Sequence, residues 1–174
     1  MEQISMSAVE EALRPLVERL GYQEEYRMDA YLASERLLDA VKVLKQLDWV
    51  YLSAITGLDL PVPGPAAAGA PATEHPQSLQ DQPEAGSPLA AEGRIELLYH
   101  FCRKYAIITL RTSLPYSHPV APSVCGLIPY ATLYERELIE MFGVTLEGTP
   151  ETSRFLLPDD WPAGVYPLRK GFTG

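Results

Sequence analysis

Residues 147–174, EGTPETSRFLLPDDWPAGVYPLRKGFTG, set the hardest condition on the fold. Four prolines and four glycines break any long helix or strand here. Yet Phe155, Leu156, Leu157, Trp161, Val165, Tyr166, Leu168 and Phe172 make the stretch strongly apolar. Each of these side chains gains about 1.5–3 kcal/mol from full burial, so a merely solvated tail is excluded and the segment has to lie on a surface. Two surfaces are open to it. One is the chain's own sheet. The other is a partner protein, across which a proline-stiffened arm loses less entropy on docking, with Arg169 and Lys170 meeting acidic groups there.

Upstream of this segment, Pro129 can occupy the first turn of a helix that runs to Phe142 and stops at Gly143. On its wheel Tyr130, Tyr134, Leu138, Met141 and Phe142 form an apolar stripe, Glu135 and Glu137 fall on the two flanks, and Arg136 and Glu140 lie opposite. One reading is a solvated face with an intrahelical Arg136–Glu140 pair worth about 0.2–0.5 kcal/mol. Another has Glu135 and Glu137 holding arginines of a neighbouring protein or of the chain's own tail. A rival reading, a freestanding hydrolase that pairs Glu135 or Glu137 with Asp159 or Asp160, needs carboxyls converging on one cleft. Positions on opposite flanks of a stripe do not converge.

The remainder of the chain predicts an α+β fold, a small mixed sheet covered by helices. Ser7 and Glu10 fit a capping box, with Val9, Leu13, Leu16, Val17 and Leu20 on one face of the helix, a kink or a late start at Pro15, and Gly21 as its stop. A short strand is expected over 26–32. A second helix follows from Ser34, with Leu37, Leu38, Val41, Leu44 and Leu47 as its stripe, and residues 49–56 suit a largely buried strand. Ile95, Leu97, Tyr99 and Phe101 alternate with Glu96, Leu98, His100 and Cys102, and the run at 105–112 completes an antiparallel hairpin. Residues 61–92 hold seven of the sixteen prolines and no aromatic residue, Ile, Lys or Arg. That composition buries too little apolar area to offset ordering. Residues 1–146 therefore read as one α+β domain interrupted by a flexible Pro/Ala-rich insertion at 61–92, with 147–174 as an extended C-terminal arm.

Charge and rare residues narrow the function. Fourteen Lys and Arg against 23 Asp and Glu give a formal net charge of −9, which repels nucleic acid and anionic lipid. No stretch approaches the roughly 20 apolar residues of a membrane span, and the acidic, amphipathic start is unlike a leader. The expectation is a cytosolic chain that meets a membrane only through partners. Cys102 and Cys125 form no Cys-x-x-Cys, and His75, His100 and His118 are scattered, which makes a poor metal site.

Taken in order, YERELIEMFGV (134–144), EGTP (147–150), SRFLLPDDW (153–161) and YPLRK (166–170) resemble the 30-kilodalton subunit family of respiratory complex I, the bacterial NADH:quinone oxidoreductase. The chain departs from the family pattern at Thr149, where a His is usual, at Ser153, where an Arg is usual, and at Gly171, where an Asp is usual. The resemblance implies a noncatalytic structural subunit of the peripheral arm, on the cytoplasmic side of the cell membrane. It would pack against the large quinone-site subunit, near neighbouring cluster-bearing subunits. It implies no cofactor in this chain, since iron–sulfur clusters and flavin, or nickel–iron, belong to other subunits. Two cysteines agree with this, a cluster needing about four thiolates. The equivalent subunit of a membrane-bound nickel–iron hydrogenase, or of a ferredoxin-linked relative, is the alternative. On either reading Glu135, Arg136 and Glu137 are expected where the chain meets the large subunit, and Arg154, Asp159, Asp160, Trp161, Arg169 and Lys170 are expected to fasten the arm.

Overall fold

The structure, a computed structural model, describes residues 5–62 and 92–173. Most of the Pro/Ala-rich insertion, residues 63–91, lies outside the described residues. Helix α1 (Met6–Leu13) is capped by Ser5, whose hydroxyl accepts from the Ala8 amide at 3.3 Å. It stops well short of Gly21. Pro15 cannot donate to the helix, and its ring would strike the preceding turn. Arg19–Glu24 instead form strand β1, in which Leu20 pairs with Ala30 and Gly21 with Asp29 of β2 (Arg27–Tyr31). The helical continuation through Leu16, Val17 and Leu20, and Ser7 as its cap, are therefore corrected.

A short 3-10 turn (Ser34–Arg36) leads into α2 (Leu37–Gln46), which buries Leu37, Ala40, Val41 and Leu44, the stripe its spacing predicts. The next strand, β3, covers Tyr51–Leu60, starting later and running further than 49–56. Trp49, expected in it, is fully buried just before it. Strands β4 (Arg94–Arg103) and β5 (Ala106–Pro115) form the expected hairpin, turned at Lys104, whose φ is 53°.

These strands make one mixed sheet in the order β1-β2-β5-β4-β3, with β2 and β5 parallel and the other pairs antiparallel. Alternation divides the sheet into two faces. Ile95, Leu97, Tyr99 and Phe101 of β4 join Ile108 and Leu110 of β5 and Met28 of β2 in the core shared with the helices. On the other face Arg111 is buried in a polar network. Its Nε and Nη2 each lie 2.9 Å from a Glu96 carboxylate oxygen, and its Nη1 lies 3.0 Å from Asp29 and 2.9 Å from the Tyr31 hydroxyl.

Beyond the sheet, β6 (Val120–Pro122) runs parallel to β7 (Thr145–Glu147), and α3 (Thr132–Phe142) crosses between them. The two three-residue strands carry no local pattern that foretells their pairing. Helix α3 and the 3-10 turn before it (Pro129–Ala131) also cover the start of the β3 edge. A bulge between Leu52 and Ala54 leaves the Leu52 amide and the Ser53 carbonyl turned outward. The Tyr130 hydroxyl accepts from that amide at 2.8 Å, and the Tyr134 hydroxyl donates to that carbonyl at 3.0 Å. That part of the edge is thereby withdrawn from unwanted strand pairing.

A buried and an exposed ion pair predict different costs. Arg111→Ala strands two buried carboxylates and lowers the unfolding free energy by about 3–5 kcal/mol. Lys42→Ala removes a half-exposed partner of Asp39 and changes stability by about 0.5 kcal/mol or less. Urea denaturation followed by circular dichroism measures both.

Candidate partner interface

The face that α3 buries is not the one its wheel predicts. Glu135, Leu138 and Phe142, with Ala131 just before the helix, make the inward face at i+4, i+7 and i+11 from Ala131, and Glu140 is buried too, whereas Tyr130 is half exposed and Met141 only partly covered. Glu135 therefore points inward and is fully buried, its carboxylate accepting from the Ser123 hydroxyl and from the Val124 amide, both at 2.7 Å. It holds the turn after β6 against the helix. Its carboxylate is thus engaged within the chain, on that turn's hydroxyl and amide, and any part it has at a partner contact is through the turn it holds. Glu137 lies partly exposed on the helix with no polar partner among the described residues.

Arg136 and Glu140 do not pair with each other. One helical turn apart, they grip the backbone of four successive residues. Arg136 donates from Nε to the Ser153 carbonyl at 3.1 Å and from Nη2 to the Arg154 carbonyl at 2.8 Å, and its guanidinium lies 4.8 Å over the Phe155 ring. Glu140, only 9% exposed, accepts from the Phe155 amide at 2.6 Å and from the Leu156 amide at 2.7 Å. Carbonyls are held by the cation and amides by the anion, so each main-chain group meets its electrostatic complement.

The chain then returns to the same helix. The Leu168 amide donates to the Met141 carbonyl at 3.2 Å, and Arg169 Nε donates to the Phe142 carbonyl at 2.7 Å, where the helix dipole favours a cation. The Arg169 guanidinium lies 5.1 Å from the Tyr116 ring centroid and 5.3 Å from that of Tyr166. Gly143 makes this seat: its φ is 65°, and a β-carbon there would come within 2.2 Å of the Tyr166 ring. Asp59, buried near the end of β3, accepts from the Lys170 amide at 2.6 Å and from the Tyr116 hydroxyl. Burial, the hydrogen bond to Asp59 and its charge together push the Tyr116 phenol above its ordinary pKa.

Between these anchors the segment folds on itself. Arg154 donates to the carbonyls of Pro158 and Trp161, the Trp161 indole donates to the Val165 carbonyl at 2.9 Å, and its ring stands 6.1 Å from Phe172. A segment with both ends on one helix is an Ω-type loop, neither an extended arm nor a cover for the sheet. Arg154, Trp161, Arg169 and Lys170 do fasten it, but to this chain's own backbone. Asp159 and Asp160 are exposed, with no polar partner among the described residues. Phe155, Leu156 and Leu168 remain 46%, 52% and 51% exposed on an ordered segment.

Sequence reading missed Glu140, Asp59, Tyr116 and Tyr166. For Glu140 the available signal was its i, i+4 spacing from Arg136, which reads equally well as an intrahelical pair. Of the named acids, Glu135 faces the interior while Asp159 and Asp160 face solvent, so these do not converge on one cleft. On the polar sheet face, a cavity of about 550 Å³ is lined by Asp29, Ser53, His100, Cys102, Thr109 and Arg111 among others. Its groups satisfy one another: the His100 ring nitrogens each lie 3.2 Å from a threonine hydroxyl, Thr109 and Thr56, and burial lowers the His100 pKa. Among the described residues no three His, Cys, Asp or Glu are grouped to hold a metal ion, and no helix is long and apolar enough to cross a membrane.

Residues 30–174 match the family described as the respiratory-chain NADH dehydrogenase 30 Kd subunit. Over 60 residues the chain is 46% identical to the beta subunit of the membrane-bound hydrogenase of Pyrococcus furiosus, covering 34% of this chain and 35% of that one. Over 95 residues it is 37% identical to the C/D subunit of the NADH-quinone oxidoreductase of Rhodopseudomonas palustris, covering 55% of this chain and 15% of that one. The chain thus spans well under two thirds of either relative. In fold it is similar to a chain of the membrane-bound sulfane sulfur reductase, an archaeal respiratory membrane complex, with a TM-score of 0.63 at 24% identity, covering 96% of this chain and 84% of that one.

The inward phase of α3 makes Glu135 and Glu137 unequal. Glu135→Ala removes two charge-assisted hydrogen bonds and strands the Val124 amide, lowering stability by about 3 kcal/mol, whereas Glu137→Ala changes it by about 0.5 kcal/mol or less. Gly143→Ala costs about 1–2 kcal/mol from the left-handed backbone alone and unseats Tyr166. Trp161 emission then shifts to the red, while Trp49, deep in the core, keeps its spectrum until global unfolding.

Proposed function

The chain belongs to the respiratory-chain NADH dehydrogenase 30 kDa subunit family, and from that premise we propose that it is a noncatalytic structural subunit of a proton-translocating NADH:quinone oxidoreductase. It sits in the peripheral arm on the cytoplasmic side of the membrane. It packs against the large quinone-site subunit and beside neighbouring cluster-bearing subunits, which hold the flavin and iron–sulfur clusters. Residues 1–146 act as its domain and 147–174 as its docking extension.

The observation that carries this reading is the loop built on α3. It is fixed at both ends by buried polar contacts, yet it leaves Phe155, Leu156 and Leu168 about half exposed. Large apolar side chains displayed on an anchored scaffold suit a protein contact. The relative from Rhodopseudomonas palustris adds support: its name joins C with D, and this chain matches only 15% of it. Arg136, Arg154, Trp161, Arg169 and Lys170 shape the loop, and the partly exposed Glu137 and the exposed Asp159 and Asp160 are the remaining residues proposed to meet the partner.

A second reading, the equivalent subunit of a membrane-bound nickel–iron hydrogenase or ferredoxin-linked complex, is favoured by the 46% identity to the hydrogenase relative. The co-purifying large subunit separates the two: paired Cys-x-x-Cys nickel ligands in it mark the hydrogenase. Affinity purification of the tagged chain from its native membrane in mild detergent tests the shared role. The chain brings down a large subunit, and Leu156→Asp lowers that recovery about tenfold or more without changing the chain's own Tm. Recovery of the wild-type chain alone refutes the role.

A further inference from the structure

We infer that the far end of the C-terminal loop and the two roots of the insertion at 61–92 form one latch, closed through Asp59 and Tyr116, so that whatever displaces the roots loosens residues 166–172 and whatever lifts the loop loosens the roots. This goes beyond the assembly role proposed above and does not depend on it, because every group in the latch belongs to this chain.

The roots come from neighbouring strands. Leu60, the last residue of β3, pairs with Arg94, the first of β4, and Arg94 pairs in turn with Pro115 at the end of β5. The chain enters the insertion just after Leu60 and leaves it at Glu92 and Gly93, so both roots lie at one corner of the sheet, beside the turn that follows β5. Three hydrogen bonds tie the second root to that turn. The Gly93 carbonyl accepts from the Tyr116 amide at 3.0 Å, and the Glu92 carboxylate accepts from the Ser117 amide at 3.0 Å and the Ser117 hydroxyl at 2.8 Å. A β-carbon on Gly93 would come within 2.3 Å of the Tyr116 ring. The main chain of the second root therefore sets where that ring lies.

The first root supplies the acceptor. Gly57 and Asp59, two residues apart, share one face of β3. A β-carbon on Gly57 would come within 2.5 Å of the Phe142 ring, so the end of α3 rests on the strand there, and Asp59 receives the loop just beyond. Asp59 is 7% exposed; one of its oxygens accepts from the Tyr116 hydroxyl and the other from the Lys170 amide at 2.6 Å. Arg169 completes the latch, its guanidinium 5.1 Å from the Tyr116 ring centroid while its Nε donates to the Phe142 carbonyl at 2.7 Å. Tyr116 is thus held at its amide by one root, at its hydroxyl by the other, and against its ring by the loop. The clamp at Arg136 and Glu140 shares none of these groups. The two ends of the loop consequently answer to different parts of the chain, and the coupling through the latch is reciprocal. The insertion is a handle on the far end alone.

Hydrogen exchange of the full-length chain, resolved by residue, tests the latch in both directions. Gly93→Ala pushes on the Tyr116 ring and speeds exchange of the Lys170 amide about fivefold or more, while the Phe155 and Leu156 amides, held by Glu140, keep their rates. Glu92→Gln weakens only the Ser117 bonds and moves Lys170 the same way by less. In the other direction, Arg169→Ala speeds exchange of the Tyr116 and Ser117 amides. With Tyr116→Phe in place, which removes the hydroxyl on Asp59, Glu92→Gln no longer changes the Lys170 rate. A Lys170 amide indifferent to both root variants overturns the latch. So does a Phe155 or Leu156 amide that quickens as much as Lys170, since the loosening is then general. If Gly93→Ala does not fold, Glu92→Gln and Arg169→Ala decide the same question.

Discussion

Glu140 accepts the amide hydrogens of two successive residues, and that buried carboxylate decides whether the end of the chain is a loop or a tail. Without it the Phe155 and Leu156 amides would need other acceptors beside an apolar helix, and unmet main-chain donors at such a place are costly. With Arg136 one turn earlier taking the preceding carbonyls, the turn from β7 is fixed in direction. Everything downstream follows from that heading. The segment curls through the Arg154 and Trp161 bonds and arrives back at the helix end, where Gly143 is bare enough to admit Tyr166.

The same economy runs through the rest of the molecule. Its best-placed charges are structural. Arg111 joins three strands of the sheet through Glu96, Asp29 and Tyr31, Glu135 ties α3 to the turn after β6, and Asp59 ties the loop's far end to β3. These groups are matched within the chain. What the chain offers outward is apolar side chains on an anchored loop, Phe155, Leu156 and Leu168, and Leu133 on α3. For a subunit whose proposed work is to position others, that division of labour is physically coherent.

Much of this was legible in the sequence where the physics is local. The stripe of α2, the alternation of β4 and β5, and the run from Pro129 to a left-handed Gly143 all read directly from spacing and residue type. The demand that residues 147–172 rest on a surface followed from their apolar content. The misses share one cause, the competition of long-range contacts with local pattern. Leu20 has helical spacing from Leu13 and Leu16, but ladder bonds to β2 claim it once Pro15 has ended α1. The strands β6 and β7 are three residues each and exist only because they meet across α3. The wheel of α3 places Glu135 on a flank because a glutamate reads as solvated, and only the Ser123–Val124 turn, outside the helix, makes its burial favourable. The family resemblance came from the order of four short motifs, two of which, YERELIEMFGV and SRFLLPDDW, are the two sides of the clamp.

A structure of the assembled complex, superposed on the free chain, tests the central claim most directly. The account predicts that residues 153–172 keep their backbone within about 1 Å, as in rigid docking, with Glu140 still bonded to the Phe155 and Leu156 amides and their side chains covered by a partner. A segment lifted away from α3, its amides released from Glu140 and its chain extended across neighbouring subunits, would contradict it.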